Sequence, residues 1–413
     1  MAVITTIVGQ HAEDASLLWY LRNAAVSRPD YSLVDLAKLD NRLEAHLDGL
    51  RIAGEAGWNL LKENLSLNEP GDLFVAGSIA FESRAKESID FVLKDSEGIQ
   101  GIISALGWLP CEQAQPYIQD FLSSSSSRLR HIGIAASAIH RHYPGPPLSA
   151  AVSDGDPLLR ARALRAIGEL KRTELLPKLL SGFADPDQNV RFAAAWSATL
   201  LSVSPDSLTV LRKVAESADP NSYKALQMAV RRMDVAAAKA WQASLSKQKE
   251  SLRLAIVGAS AIGDPDRVPW LIEQMNLPAL ARVTGEAFTM ITGIDLAYND
   301  LEKRAPGGFE TGPTENPEDE NVEMDPDENL PWPDPVLVQK WWSNNQSQFQ
   351  KGTRYLVGKP MTIEWLQQVL RIGRQRQRAA AALELAIRQP GQPLFEVRAP
   401  GFRQQAILGL IGR

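Results

Sequence analysis

The sequence predicts an all-α fold: an α-solenoid of stacked helix pairs, with an N-terminal helical region and a C-terminal cap. Three observations carry that expectation. First, Asp154-Gly-Asp-Pro-Leu-Leu-Arg160 is echoed 31 positions later by Asp185-Pro-Asp-Gln-Asn-Val-Arg191. Second, each echo runs into an Ala-rich apolar helix, Ala161–Leu170 and Phe192–Leu201. Third, a polar residue opens a similar helix at Gln100, Arg130, Arg160, Arg191, Lys224, Arg253 and Arg282. A beat of roughly 30 residues marks a stacked helical array, in which each unit buries its apolar stripe only against its neighbours.

Taken in order, residues 1–70 form an N-terminal helical region. Ser16–Val26 is apolar at helical spacing and is broken at Arg28-Pro29, because proline disfavours helix at the residue before it. Ser32 caps a longer helix, where Leu33, Leu36, Leu39, Leu43, Leu47 and Leu50 share one face. Gly54 and Gly57 are expected to end it. Residues 71–300 carry the array. In one unit, Asp154 and Asp156 cap a helix and Pro157 occupies its first turn, where a missing N–H costs nothing. Ala161, Ala163, Leu164, Ile167 and Leu170 form its buried stripe; Leu175, Leu176, Leu179 and Leu180 make the return helix. Ser123–Ser127 reads as a turn between units.

Residues 305–339 form a Pro-, Gly- and acid-rich excursion with no apolar period. Residues 340–413 form the cap. Within and just before it, helices are expected at Val336–Trp342, Thr362–Leu370, Gln375–Arg388 and Phe402–Leu410, with a strand-like Leu394–Val397.

Charge is unevenly distributed. The 413 residues hold 44 basic and 49 acidic side chains, a net charge of −5. Ten of the acids, and no Lys or Arg, lie between Ala305 and Gln339. Such a stretch is a solvated loop or an interaction segment. The remaining 378 residues sum to +5, too weakly basic for a nucleic-acid footprint. The single cysteine, Cys111, excludes a disulfide framework and fits a reducing compartment. Neither a signal peptide nor an 18-residue apolar run is present, so a cytoplasmic protein is expected.

Few residues suggest chemistry. The i, i+2 spacing of His140 and His142 diverges on a helix, and no further ligands flank them. His46, near Asp40, Arg42 and Asp48, reads as a polar group satisfied at a helix interface before it reads as an acid–base pair. Asp325-Pro-Asp327-Glu-Asn329 lacks the sixth-position Gly and twelfth-position Glu of a calcium loop. No phosphate loop, G-x-S-x-G or nucleophilic cysteine constellation occurs. No catalytic residue, cofactor or metal is expected. Arg371, Arg374, Arg376 and Arg378 are expected to pair with the acidic excursion or with helix C-termini, the other reading being an anion patch. Trp332, bracketed by prolines, and Trp341-Trp342 anchor the C-terminal region or mark a binding surface, since Trp is enriched at interface hot spots.

The terminal motifs carry a resemblance. His11-Ala-Glu-Asp14, Leu18-Trp19, Arg22 and Asp40-Asn-Arg-Leu-Glu-Ala-His-Leu-Asp-Gly-Leu50 open the chain. Leu330-Pro-Trp-Pro-Asp334, Trp341-Trp342 and Arg376-Gln-Arg-Ala-Ala-Ala-Ala-Leu-Glu384 close it. Together they resemble a bacterial family of uncharacterised HEAT-repeat proteins whose genes often sit beside type VI secretion components. The resemblance covers nearly the whole chain and brings no catalytic residues. It implies an immunity protein that neutralises a secreted toxin, or an adaptor that loads an effector. The middle repeats also weakly resemble the HEAT-like bilin lyases.

A non-enzymatic, cytoplasmic binding protein is therefore expected, with a cognate toxin, such as a nuclease effector, as partner. Contact with nucleic acid or membrane is not expected. The candidate partner-binding residues are Glu310, Glu315, Glu318, Asp319, Glu320, Glu323, Asp325, Asp327 and Glu328, as a mimic of a phosphate backbone, with Trp332, Asp334 and Trp341. A lyase is the remote alternative, which requires Asp40, Arg42 and His46 to converge in an open cleft.

Overall fold

A computed structural model of the protein describes residues 4–64, 69–94, 98–202, 204–309, 312 and 324–410. The chain falls into two compact units, residues 1–207 with 389–413, and residues 208–388. Both are built almost wholly from helices.

Unit 1 begins with α1 (Thr5–Ala25) packed along α2 (Leu33–Asn64). The long helix does not end at Gly54 as its glycines suggest. It kinks there, at φ 56°, a conformation open to glycine at little cost, and resumes. Helix pairs follow: α3 (Pro70–Ser83) and α4 (Lys86–Leu93), α5 (Ile99–Trp108) and α6 (Cys111–Leu122), α7 (Ser127–Ile139) and α8 (Pro146–Ala151), α9 (Pro157–Glu169) and α10 (Leu176–Ser181). Helix α11 (Gln188–Leu201) ends the stack, and the division falls within α12 (Pro205–Ala215). The first helices of successive pairs pack side by side, α3 on α5, α5 on α7, α7 on α9 and α9 on α11.

Small residues set the spacing of that stack. A Cβ on Gly101 of α5 would lie 2.2 Å from the Pro70 carbonyl oxygen, and one on Gly168 of α9 would lie 2.6 Å from Ser197 Oγ. A Gly101→Ala variant is expected to lose about 1–3 kcal/mol by forcing α3 and α5 apart; urea unfolding measures it, and an unchanged midpoint would contradict the close packing.

A ladder of arginines ties the turns together. Arg130 donates to the Ser124 and Ser125 carbonyls behind it and to Asp154 of the next turn (2.5 Å). Arg160 repeats the arrangement with the Asp154 and Gly155 carbonyls and Asp185 (2.9 Å). Arg191 donates to the Asp185 and Pro186 carbonyls. Each aspartate also folds its own turn: Asp154 accepts from the Asp156 N–H and Asp185 from the Asp187 N–H. Asp156 and Asp187 then cap α9 and α11. The repeated Asp and Arg positions thus do two jobs, capping one helix and bonding to the next turn.

Unit 2 continues the same grammar with α13 (Ser222–Arg232) and α14 (Val235–Leu245), α15 (Leu252–Ile262) and α16 (Val268–Gln274), and α17 (Pro278–Thr292). Helix α13 packs on α15, and α15 on α17. After the excursion come α18 (Pro335–Asn345), a short antiparallel hairpin of β1 (Tyr355–Leu356) and β2 (Lys359–Pro360), α19 (Ile363–Ile372) and α20 (Gln375–Arg388). The hairpin lies against α17, and Gly263 at φ 72° lets Tyr355 N–H reach the Gly263 carbonyl, since a Cβ there would meet Tyr355 O at 2.4 Å.

The tail belongs to unit 1. Leu394–Val397 is not a strand. Leu394 N–H donates to the Glu169 carbonyl (2.9 Å) and no ladder forms, so its backbone is satisfied at a helix end instead. Helix α21 (Gly401–Ile407) then packs on α2. Gly401 N–H donates to the fully buried Asp40 (2.5 Å), which also holds Arg22 at 3.0 Å, and Arg22 donates to the Ala399 carbonyl. Arg403 caps α5 through the Gly107, Trp108 and Leu109 carbonyls.

Candidate functional site

The candidate surface lies in unit 2, where the acidic excursion returns to the helices. The elements that receive it are α15 and α17, whose opening arginines, Arg253 and Arg282, stand on the repeat beat. In unit 1, Arg130 and Arg160 on that beat bond an aspartate of the following turn. Here the aspartates come from the excursion.

Asp327 is buried, 3% exposed, and accepts from Arg253 through both carboxylate oxygens, the Nη1 contact being 2.9 Å. Arg282 donates to the Asp327 carbonyl at 3.1 Å and pairs with Asp325 at 2.7 Å. Asp327 N–H donates to Asp325 Oδ1 at 2.9 Å. The same turn occurs at Asp154/Asp156, Asp185/Asp187, Asp219/Asn221 and Asp264/Asp266, with N–H to carboxylate distances of 2.6–3.0 Å. Asp325-Pro-Asp327 is thus a further copy of the repeat turn, delivered by a long segment. It is a turn docked on arginines, and its resemblance to a calcium loop is confined to spelling.

The aromatic residues complete the dock. Arg282 lies over the Trp332 ring at 4.9 Å, and Phe309 meets that ring edge-on at 4.9 Å. Backbone bonds from Lys303 N–H to Trp332 O and from Asp334 N–H to Leu301 O, both 2.8 Å, clamp the two ends of the excursion side by side. Asp334 caps α18 by accepting from the Val336 and Leu337 N–H groups. Trp341 packs edge-on against Phe288 at 5.6 Å. Burial alone would lower the Arg253 pKa; the bonds and charge of Asp327 outweigh it and raise it above the ordinary arginine value.

The candidate residues therefore divide. Asp325, Asp327, Trp332, Asp334 and Trp341 are engaged within unit 2. Glu328 is exposed. Glu310, Glu315, Glu318, Asp319, Glu320 and Glu323 lie outside the described residues. Arg253 and Arg282 are the partners that sequence reasoning passed over. The signal was present, since Asp-Pro-Asp recurs at 185–187, 264–266 and 325–327.

The remaining candidates for chemistry do not assemble. Asp40 is buried against Arg22 and the Gly401 N–H. His46 meets His11, Nδ1 to Nδ1, at 3.2 Å across α1 and α2, and Arg42 is exposed. His140 donates through Nε2 to the Leu106 carbonyl at 2.8 Å. Arg378 is buried and donates to Leu370 O, capping α19, whereas Arg376 pairs with Glu286 at 2.7 Å. Among the described residues, no group of three or more His, Cys, Asp or Glu is placed to hold a metal ion. Nor is any helix among them long and apolar enough to cross a membrane.

Two titratable groups of unit 1 give a pH dependence. Burial, with the Arg162 charge nearby, lowers His131 to about 4 from the ordinary 6.5. Glu169 is largely buried, which by itself would raise its pKa, but Arg162, Arg165 and Arg141 overcome that and hold it at about 2. As pH falls below 6.5 the unfolded chain takes up a proton at His131 that the fold refuses until about pH 4. Stability is therefore full above that window and lost through it, by roughly 3 kcal/mol. Glu169 adds a second loss from about pH 4.5 to 2. A His131→Gln variant is expected to flatten the upper window alone in urea unfolding measured against pH; an unchanged slope would show that His131 is not its source.

Residues 145–231 match the family model described as HEAT repeats. Neither the curated proteins nor the solved structures yield a match to the chain. The chain thus carries HEAT repeats on an all-α architecture, and such repeats suit a protein-binding scaffold.

Proposed function

We propose that this HEAT-repeat protein is a non-enzymatic immunity protein of the bacterial cytoplasm, which binds and neutralises a cognate toxin delivered by a type VI secretion system. The observation that carries the reading is the charge of the excursion. Nine acids fall between Glu310 and Glu328 with no base among them. A segment of that kind suits a partner with a basic groove, such as the active site of a nuclease, by standing in for a phosphate backbone. Complementary charge of this sort speeds association and makes it salt-dependent. The Asp325–Asp327 turn supports the reading by giving the acidic segment a fixed mooring on α15 and α17. The resemblance of the terminal motifs to proteins encoded beside secretion components supplies the class of partner.

Co-expression tests it. The toxic domain of an effector that co-purifies with this protein is produced in a sensitive host with and without it. Rescue of growth by the wild-type chain is the expected result. Growth arrest despite a folded, co-expressed protein would refute immunity. If arrest persists but deletion of the gene abolishes effector secretion, the protein is a loading adaptor.

A further inference from the structure

Unit 2 holds a second charged cluster, apart from the excursion, where the C-terminus of α13 meets α20 and the loop before β1. Arg231 and Arg232 end α13, Arg354 precedes β1, and Glu384 and Arg388 lie on α20. Glu384 is 1% exposed and is the only carboxylate bonded to the group among the described residues. Its Oε1 lies 3.3 Å from Arg231 Nε and its Oε2 lies 3.3 Å from Arg388 Nη2. Two other acids face the cluster. Asp264 is already held by Lys239 at 3.0 Å, and the exposed Asp234 caps α14. Four guanidinium groups thus share one committed carboxylate.

Their donors are incompletely used. Arg354 Nη2 donates to the Val230 and Met233 carbonyls at 2.9 and 2.7 Å, and Arg231 Nη1 donates to the Gln227 carbonyl at 3.0 Å. Arg231 Nε, Arg232 Nε and Arg354 Nη1 are buried with no hydrogen-bond partner, and Glu384 Oε1 is likewise unbonded despite its ionic contact with Arg231. Buried donors of this kind are rare and costly, and uncompensated buried charge costs more. Burial lowers the pKa of Arg231, Arg232 and Arg354, with Glu384 opposing it in each case. Arg232 and Arg354 are only half-buried and Arg388 is exposed, so the cluster has a rim open to solvent beside the buried Arg231 and Glu384.

We infer that Arg231, Arg232, Arg354 and Arg388 form a binding site for a phosphate dianion, either inorganic phosphate or the phosphate of a monoester. The guanidinium fork matches phosphate oxygens in pairs, and a dianion accepts from several donors at once. A dianion also balances most of the charge that Glu384 leaves uncompensated, which a single carboxylate does not.

The test uses the full chain, titrated by calorimetry and melted with sodium phosphate against sodium chloride at matched ionic strength. Phosphate is expected to bind and to raise the melting temperature where chloride does not. Arg232→Gln, which removes a donor with no bond inside the protein, is expected to weaken binding roughly tenfold. Glu384→Gln removes the internal competitor and is expected to tighten it; if that variant does not fold, Arg232→Gln decides alone. O-phosphoserine serves as the second probe. Equal affinity for both points to the free anion, and a tenfold preference for phosphoserine points to a monoester. Phosphate that stabilises no more than chloride, or that binds the Arg232→Gln variant equally well, overturns the proposal.

Discussion

An Asp40→Ala variant is expected to lose about 3–5 kcal/mol of unit 1 stability, because it strands Arg22 in a buried position and removes the acceptor of the Gly401 N–H. The effect reaches the far end of the chain. Arg22 also donates to Ala399 O, and buried Gln404 donates to the Val397 and Ala399 carbonyls, so one network fixes the turn that enters α21. Amide exchange over residues 397–407 is expected to rise in the variant, while α7, α9 and α11 keep their protection at native pH. The close fit allows no ready repair, since a Cβ on Gly401 would meet Ala37 Cα at 2.6 Å and the tail cannot slide along α2. A loss under about 1 kcal/mol would mean that Asp40 is not the centre of this network.

The second large effect is expected at Asp327. Replacing it by Ala leaves Arg253 half-buried without its bidentate acceptor, at an expected cost of about 2–3 kcal/mol to unit 2. The consequence that separates a mooring from an ordinary ion pair is local. Limited proteolysis is expected to cut within residues 305–330 of the variant at a rate well above wild type, with unit 1 unaffected. Arg282→Ala is expected to act in the same direction, because it removes the Asp325 pair and the face-on contact with Trp332 together. Equal proteolysis of wild type and both variants would show that the turn does not hold the excursion.

Much of this arrangement was legible in the sequence. The residues from Gln100 to Arg282 that set the beat open α5, α7, α9, α11, α13, α15 and α17, and the caps at Asp156, Asp187 and Thr362 are where their residue types require. What was not legible depends on partners distant in sequence. Asp40 meets Gly401 across 361 residues, and Asp327 meets Arg253 across 74, which no local period reports. Leu394–Val397 is strand-like in its apolar composition but bonds to a helix end. Glycine is costly inside a helix, so Gly54 reads as a terminator, yet the helix kinks there at φ 56° and resumes. The Asp-Pro-Asp turn is the instructive case. Its third copy is visible in the chain, but its acidic surroundings point to a solvated segment, and only the position of Arg253 and Arg282 makes it a docked one.

Capture of the partner by two forms of the chain bears most directly on the central claim. Wild type and a variant with Glu310, Glu315, Glu318, Asp319, Glu320 and Glu323 changed to Gln or Asn are tagged in the native host, and co-purifying protein is quantified at low and moderate salt. The expected result is one stoichiometric basic protein with wild type, weakened by salt and largely lost with the variant. The same protein held at the same stoichiometry by the neutralised chain would contradict the acidic segment as the binding surface.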